Sequence, residues 1–127
     1  MAGAAAYASV TIIEDEGLVE HSARLGEWML GRLREMQERH AFIGHVDGRG
    51  LLIGVELVKD RKTKEPLDKQ VCVRLFQECL KRGLISMVYN PHFRINPALT
   101  LDRETAETAL GILDEVFCLM SRDGGWQ

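Results

Sequence analysis

The feature that most constrains this chain is a change in its hydrophobic period. Leu18, Leu25, Met29, Leu33 and Met36 recur at helical spacing and form one stripe. Beyond them the period drops to two. Leu51, Ile53, Val55 and Leu57 alternate with Leu52, Gly54, Glu56 and Val58, the pattern of a strand with two distinct faces. Helical spacing then returns at Val71, Cys72, Leu75, Phe76, Cys79 and Leu80, and again from Ala106 through Ala109, Leu110, Leu113, Val116 and Phe117 to Met120. A chain that switches period in this way is neither all-α nor all-β.

The punctuation sets the element order. Ala2 to Ala8 is alanine-rich and favours a helix that ends near Glu14-Asp15-Glu16 and Gly17. A second helix covers about Leu18 to His40. Ile43 to Asp47 reads as a strand, and Gly48-Arg49-Gly50 as a tight turn or bulge into the Leu51–Val58 strand. Lys59 to Pro66 reads as a charged surface loop. A third helix covers about Asp68 to Arg82, with Gly83 ending it. Leu84 to Tyr89 reads as the next strand, Asn90-Pro91 as a turn and Phe93 to Asn96 as a short last strand. Asp102 is placed to cap the final helix, and the tail at Asp123-Gly124-Gly125 is expected to fray. Short turns between successive strands imply antiparallel pairing. The expected fold is α+β: a small, mostly antiparallel sheet of three or four strands, with the last three helices covering one face.

Bulk properties narrow the function classes. A chain of 127 residues suffices for one compact domain with its own core. The net charge of -3 gives no electrostatic reason to expect nucleic acid or an anionic membrane as partner. No apolar run approaches the roughly 20 residues that span a bilayer. Cys72, Cys79 and Cys118 lack the spacing of a disulfide framework, which points to free thiols in a reducing compartment and hence a cytoplasmic protein.

Local motifs offer little chemistry by themselves. Gly48-Arg49-Gly50 resembles the start of a dinucleotide-binding loop. Ile53, however, holds the position of the third glycine, and a strand follows instead of a helix. His21, His40, His45 and His92 are scattered, none in a zinc-like spacing with carboxylates or cysteines, so no metal ligand is assigned. Ser9, Ser22, Ser86 and Ser121 have no nucleophile-elbow context.

Two longer segments carry more. Gly44-His45-Val46-Asp47-Gly48-Arg49-Gly50-Leu51-Leu52-Ile53-Gly54-Val55-Glu56-Leu57-Val58-Lys59-Asp60 closely resembles the arginine-glycine, leucine, isoleucine-glycine, glutamate-leucine stretch of class III aminotransferases. Phe93-Arg94-Ile95-Asn96-Pro97-Ala98-Leu99-Thr100 resembles that family's arginine, x, x-proline-proline-leucine segment. The flanks agree: Ala4 to Gly17 is similar to the helix leading into the family's small domain, and Lys81-Arg82-Gly83-Leu84 to its joint between helix and strand. The departures are Asp47, where many members have arginine, and Ala98, where the second proline is expected.

The resemblance implies that residues 1–17 lead from a large domain and that residues 18–127 form the C-terminal small domain. It implies pyridoxal phosphate as cofactor of the complete enzyme, and a substrate amino acid or keto acid whose carboxylate is held by Arg94. It assigns no catalytic or cofactor-binding residue to this chain. Lys59, Lys62, Lys64, Lys69 and Lys81 lie in a charged loop or on a helix, unlike the family's cofactor lysine, so the chain alone is expected not to transaminate. Decarboxylases, aminomutases and phospho-lyases share the family and are not separated by these residues. A free-standing, non-catalytic binding module remains the alternative. Apolar surface at Tyr7, Val10, Ile12 and Ile13 favours docking of the large domain, or self-association into a homo-oligomer such as a dimer; alone, this helix is expected to pack on another copy or lose order.

Overall fold

A computed structural model describes residues 1–127. The elements run α1 (Ala2–Asp15), α2 (Leu18–Arg39), β1 (Ile43–Arg49), β2 (Leu52–Asp60), β3 (Glu65–Pro66), α3 (Lys69–Lys81), β4 (His92–Ile95) and α4 (Arg103–Asp123). The sheet is antiparallel throughout and built around β2, which pairs with β1 along one edge and with β4 and β3 along the other. This is the α+β architecture expected from the two periods.

Strand alternation divides the sheet into two unlike faces. Val46, Ile53, Val55, Leu57 and Phe93 are buried beneath α2, α3 and α4. The helices meet this face with Leu25, Met29, Leu33, Leu75, Leu110, Leu113 and Phe117, all in the same core. Phe42 lies at its centre, 5.3 Å from the Phe117 ring and 5.6 Å from the Trp126 ring. The other face carries His45, Asp47, Leu52, Gly54, His92 and Arg94, all exposed.

The β1–β2 hairpin is clamped to α2 by backbone proximity. Gly50 has φ +57°, a conformation that side chains disfavour, and the turn presses on Gly26 of α2. A Cβ at Gly26 would lie 1.9 Å from the Gly50 carbonyl oxygen. Ser22 Oγ accepts the Leu51 N–H at 3.1 Å. At the other end of the helix, Arg61 donates to the carbonyls of Gln37 and His40, groups with no partner within the helix, and to that of Ile43 at the start of β1.

Several expectations need correction. Leu84–Tyr89 is not a strand: the Leu84 N–H bonds the Cys79 carbonyl at the end of α3, and the Asn90 N–H closes a turn on Met87, so these amides serve a helix end and a turn. The charged loop is shorter than expected, because β2 continues to Asp60 and Glu65–Pro66 returns to pair with it. Leu80 leaves the α3 stripe and is 49% exposed. The tail does not fray: Gly124 turns the chain in a left-handed conformation and Trp126 folds back onto the core. Asp102 caps α4 as expected, accepting the Thr105 N–H at 2.7 Å. Finally, α1 is helical throughout but buries none of its residues, leaving Tyr7 and Val10 uncovered.

Candidate functional site

Register brings the candidate residues together on the open face. Arg94 of β4 stands opposite Gly54 of β2, which stands opposite Asp47 of β1. The neighbouring row is His45, Glu56 and His92. These six residues line a shallow cleft of ≈ 370 Å³. Gly54 is why the cleft exists at its centre: a Cβ there would meet only the Asp47 carbonyl oxygen at 3.8 Å, so the gap reflects a missing side chain and not crowding within the chain.

Arg94 is held rigidly but left unengaged. Its backbone is fixed in the sheet, and Phe93 beside it is buried. Its exposed guanidinium makes no hydrogen bond or ion pair within the chain, whereas Arg39, Arg61, Arg74 and Arg82 are each bonded to a carboxylate or carbonyl. Asp47 makes no ion pair with it; its Oδ1 accepts the N–H of Gly48 at 2.8 Å. Arg94 also borders a second cavity, of ≈ 360 Å³, whose walls include Met29, Ile85, Met87, Ile95 and Leu110. A planar cation thus stands between a polar cleft and an apolar one. That arrangement can hold a carboxylate through two parallel hydrogen bonds while an apolar substituent turns away from water.

The remaining candidates are structural. Arg49 ends β1 beside the clamped turn and lines a groove with Ile13, Leu18 and Leu99, with no charged partner. Cys72 and Cys79 face the core, where burial pushes both thiols up to about 11. They behave as small apolar side chains, not nucleophiles.

One constellation escaped the sequence. His40, at the end of α2, is buried and meets Asp114 and Cys118 of α4. Its Nε2 lies 3.1 Å from Asp114 Oδ1 and 3.8 Å from Cys118 Sγ, and its Nδ1 lies 2.8 Å from Ser121 Oγ. Burial pulls the Asp114 pKa up, but hydrogen bonds from Arg39 and His40 outweigh this and hold it below the ordinary carboxylate range. Asp114 and Cys118 share a helix face four residues apart, which was the only legible signal. His40 joins them from more than seventy residues away, through tertiary packing alone.

Comparison with known proteins places this geometry in context. The family model for class III aminotransferases matches residues 1–117. An alanine/serine racemase from Pyrococcus horikoshii is 42% identical over 112 residues, covering 87% of this chain and 23% of the relative. A taurine–pyruvate aminotransferase from Rhodobacter capsulatus is 46% identical over 82 residues, 65% of this chain and 18% of the relative. The fold superimposes on a PLP-bound amine transaminase from an uncultivated Pseudomonas species with TM-score 0.84 and 33% identity, covering 91% of this chain and 27% of that one. The chain therefore spans about a quarter or less of the length of the proteins it matches.

Proposed function

The chain belongs to the class III aminotransferase family, and from that premise we propose that residues 18–127 act as the C-terminal small domain of a pyridoxal-phosphate-dependent enzyme, with Arg94 holding the substrate carboxylate. Residues 1–17 would lead in from the large domain. The reaction proposed is transfer of an amino group from an amine or amino acid to a 2-oxo acid. The observation that carries this reading is the unengaged Arg94 guanidinium, fixed on a strand between a polar cleft and an apolar cavity. Two relatives are named for substrates that fit it, since alanine, serine and pyruvate all bear a carboxylate.

The surroundings of this chain's lysines support attachment of the cofactor elsewhere in the enzyme. Lys59 is paired with Asp68 at 2.9 Å and Lys81 with Glu78 at 2.8 Å, Lys69 bonds the Asn90 side chain, and Lys62 and Lys64 are exposed in the turn after β2. An exposed, protonated ammonium is a poor nucleophile. In the complete enzyme the cofactor supplies the electron sink, and the large domain would supply the lysine and cover both the open sheet face and the apolar side of α1. This chain's contribution is orientation. A guanidinium fork on a rigid strand fixes a carboxylate in one pose, which lowers the entropic part of the barrier.

The test is Arg94 replacement in the complete enzyme. A charge-assisted hydrogen bond contributes roughly 1.5–3 kcal/mol. Arg94→Ala should therefore lower kcat/KM for a carboxylate-bearing substrate by about 10-fold to 1000-fold. Arg94→Lys should restore only part, because an ammonium keeps the charge but loses the fork. Turnover of an amine donor without a carboxylate, measured in the half-reaction with that donor alone, should fall far less. Equal losses for both substrates would refute the assignment.

A further inference from the structure

We propose that His40, Asp114 and Cys118 form a binding site for a divalent transition ion of the zinc class, tying the end of α2 to α4. This reading is independent of the role given to Arg94. The ligand atoms converge on one point: His40 Nε2 and Asp114 Oδ1 are 3.1 Å apart, and Cys118 Sγ is 3.8 Å from the nitrogen and 3.9 Å from the oxygen. Tetrahedral zinc bonded to nitrogen and oxygen at about 2.0–2.1 Å and to sulfur at about 2.3 Å sets its ligands roughly 3.3–3.6 Å apart. Movements of a few tenths of an ångström would bring the three atoms into that shell.

The surroundings are those of a metal site and not of a nucleophile relay. In a relay the imidazole uses one nitrogen for the nucleophile and the other for the carboxylate. Here Asp114 and Cys118 both address Nε2, and Nδ1 is taken by Ser121 Oγ at 2.8 Å. Once Nε2 gives up its proton to the ion's arrival, Nδ1–H would donate to Ser121 Oγ, the outer hydrogen bond that orients a ligating imidazole. Asp114 Oδ2 accepts from Arg39 at 2.9 Å, which orients the carboxylate so that Oδ1 points inward. The His40 ring is only 3% exposed and stacks on Phe42 at 5.6 Å, so it is rigid before any ion arrives. Asp114 and Cys118 are part-exposed, which gives an ion a route in and leaves a fourth position for water. One imidazole, one thiolate and one carboxylate suit zinc or cobalt, not magnesium or calcium, which prefer all-oxygen shells. Binding releases the thiol proton and any proton on Nε2 to solvent, with no change of oxidation state.

The experiment is titration of the metal-stripped protein with cobalt(II), followed by zinc displacement. One equivalent should produce a thiolate-to-cobalt charge-transfer band that zinc removes, and zinc should raise the melting temperature. Cys118→Ser should abolish the band and the thermal shift. Ser121→Ala should keep the band but weaken affinity about 10-fold to 100-fold, as expected for an outer hydrogen bond to a ligand. Absence of the band in a protein whose circular dichroism shows it folded would overturn the proposal. So would a band of equal intensity in Cys118→Ser.

Discussion

The two faces of one sheet divide the labour of this molecule. Along β2, odd-numbered residues Ile53, Val55 and Leu57 are buried, whereas Leu52 and Gly54 are exposed and Glu56 is half-buried. The covered face holds the helices and supplies the stability. The open face holds Asp47, His45, Glu56, His92 and Arg94, which contribute little to packing and are free to meet something outside the chain. Because the side chains alternate with period two, one strand can serve both roles without compromise, and a register slip of one residue would exchange them. The hairpin clamp at Gly26 and Gly50 guards against that slip.

The comparison breaks most visibly in the core. Phe42 is fully buried between His40, Phe117 and Trp126, so Phe42→Ala should destabilise the fold by about 3–5 kcal/mol in a denaturant melt. Leu52→Ser, on the open face at 57% exposure, should stay within about 0.5 kcal/mol. Comparable losses at the two positions in the isolated chain would mean that another copy packs its open face in solution.

Gly26→Ala comes next. The added methyl meets backbone, not a flexible side chain, so the hairpin must move away from α2. Overpacking of this kind costs about 1–3 kcal/mol. The loss should be accompanied by faster amide exchange across β1 and β2. Unchanged exchange there would remove the clamp from the account.

How much of this was legible beforehand follows the same division. Covered-face residues were readable because periodicity reports burial: every member of the α2 stripe, Leu18, Leu25, Met29, Leu33 and Met36, is buried. The α4 stripe held as well, with Ala109 only half-buried. What failed depends on neighbours that local pattern does not name. Leu84–Tyr89 has strand composition but finds no ladder partner. Trp126 follows two glycines, yet folds back because an aromatic shelf at Phe42 is waiting for it. Of the open-face row only Arg94 was singled out beforehand, and only through family resemblance, since by itself it is indistinguishable from a surface cation until register sets it opposite Gly54.

Acid should act on the helical layer. Hydrogen bonds from Lys81 and Arg82 lower the Glu78 pKa to about 2, and those from Thr105 lower Asp102. Asp114 is also lowered. The folded state binds these protons more weakly than the unfolded chain does. Their stabilisation is therefore complete above the ordinary carboxylate range, and is lost as pH falls from about 4.5 toward about 2 for Glu78. Melting temperature against pH should show that decline, shallow because surface pairs are screened. Glu78→Gln should flatten it and Arg94→Ala should not. The opposite ranking would contradict the division between faces.

The most direct measurement tests the proposal that this chain is one domain of a pyridoxal-phosphate enzyme whose lysine lies elsewhere. The complete enzyme, loaded with pyridoxal phosphate, is reduced with borohydride, digested and mapped by mass spectrometry. The account predicts one stoichiometric pyridoxyl-lysine adduct outside residues 1–127, with only scattered, partial labelling at Lys59, Lys62, Lys64, Lys69 and Lys81. A single stoichiometric adduct on any of those five lysines would contradict it.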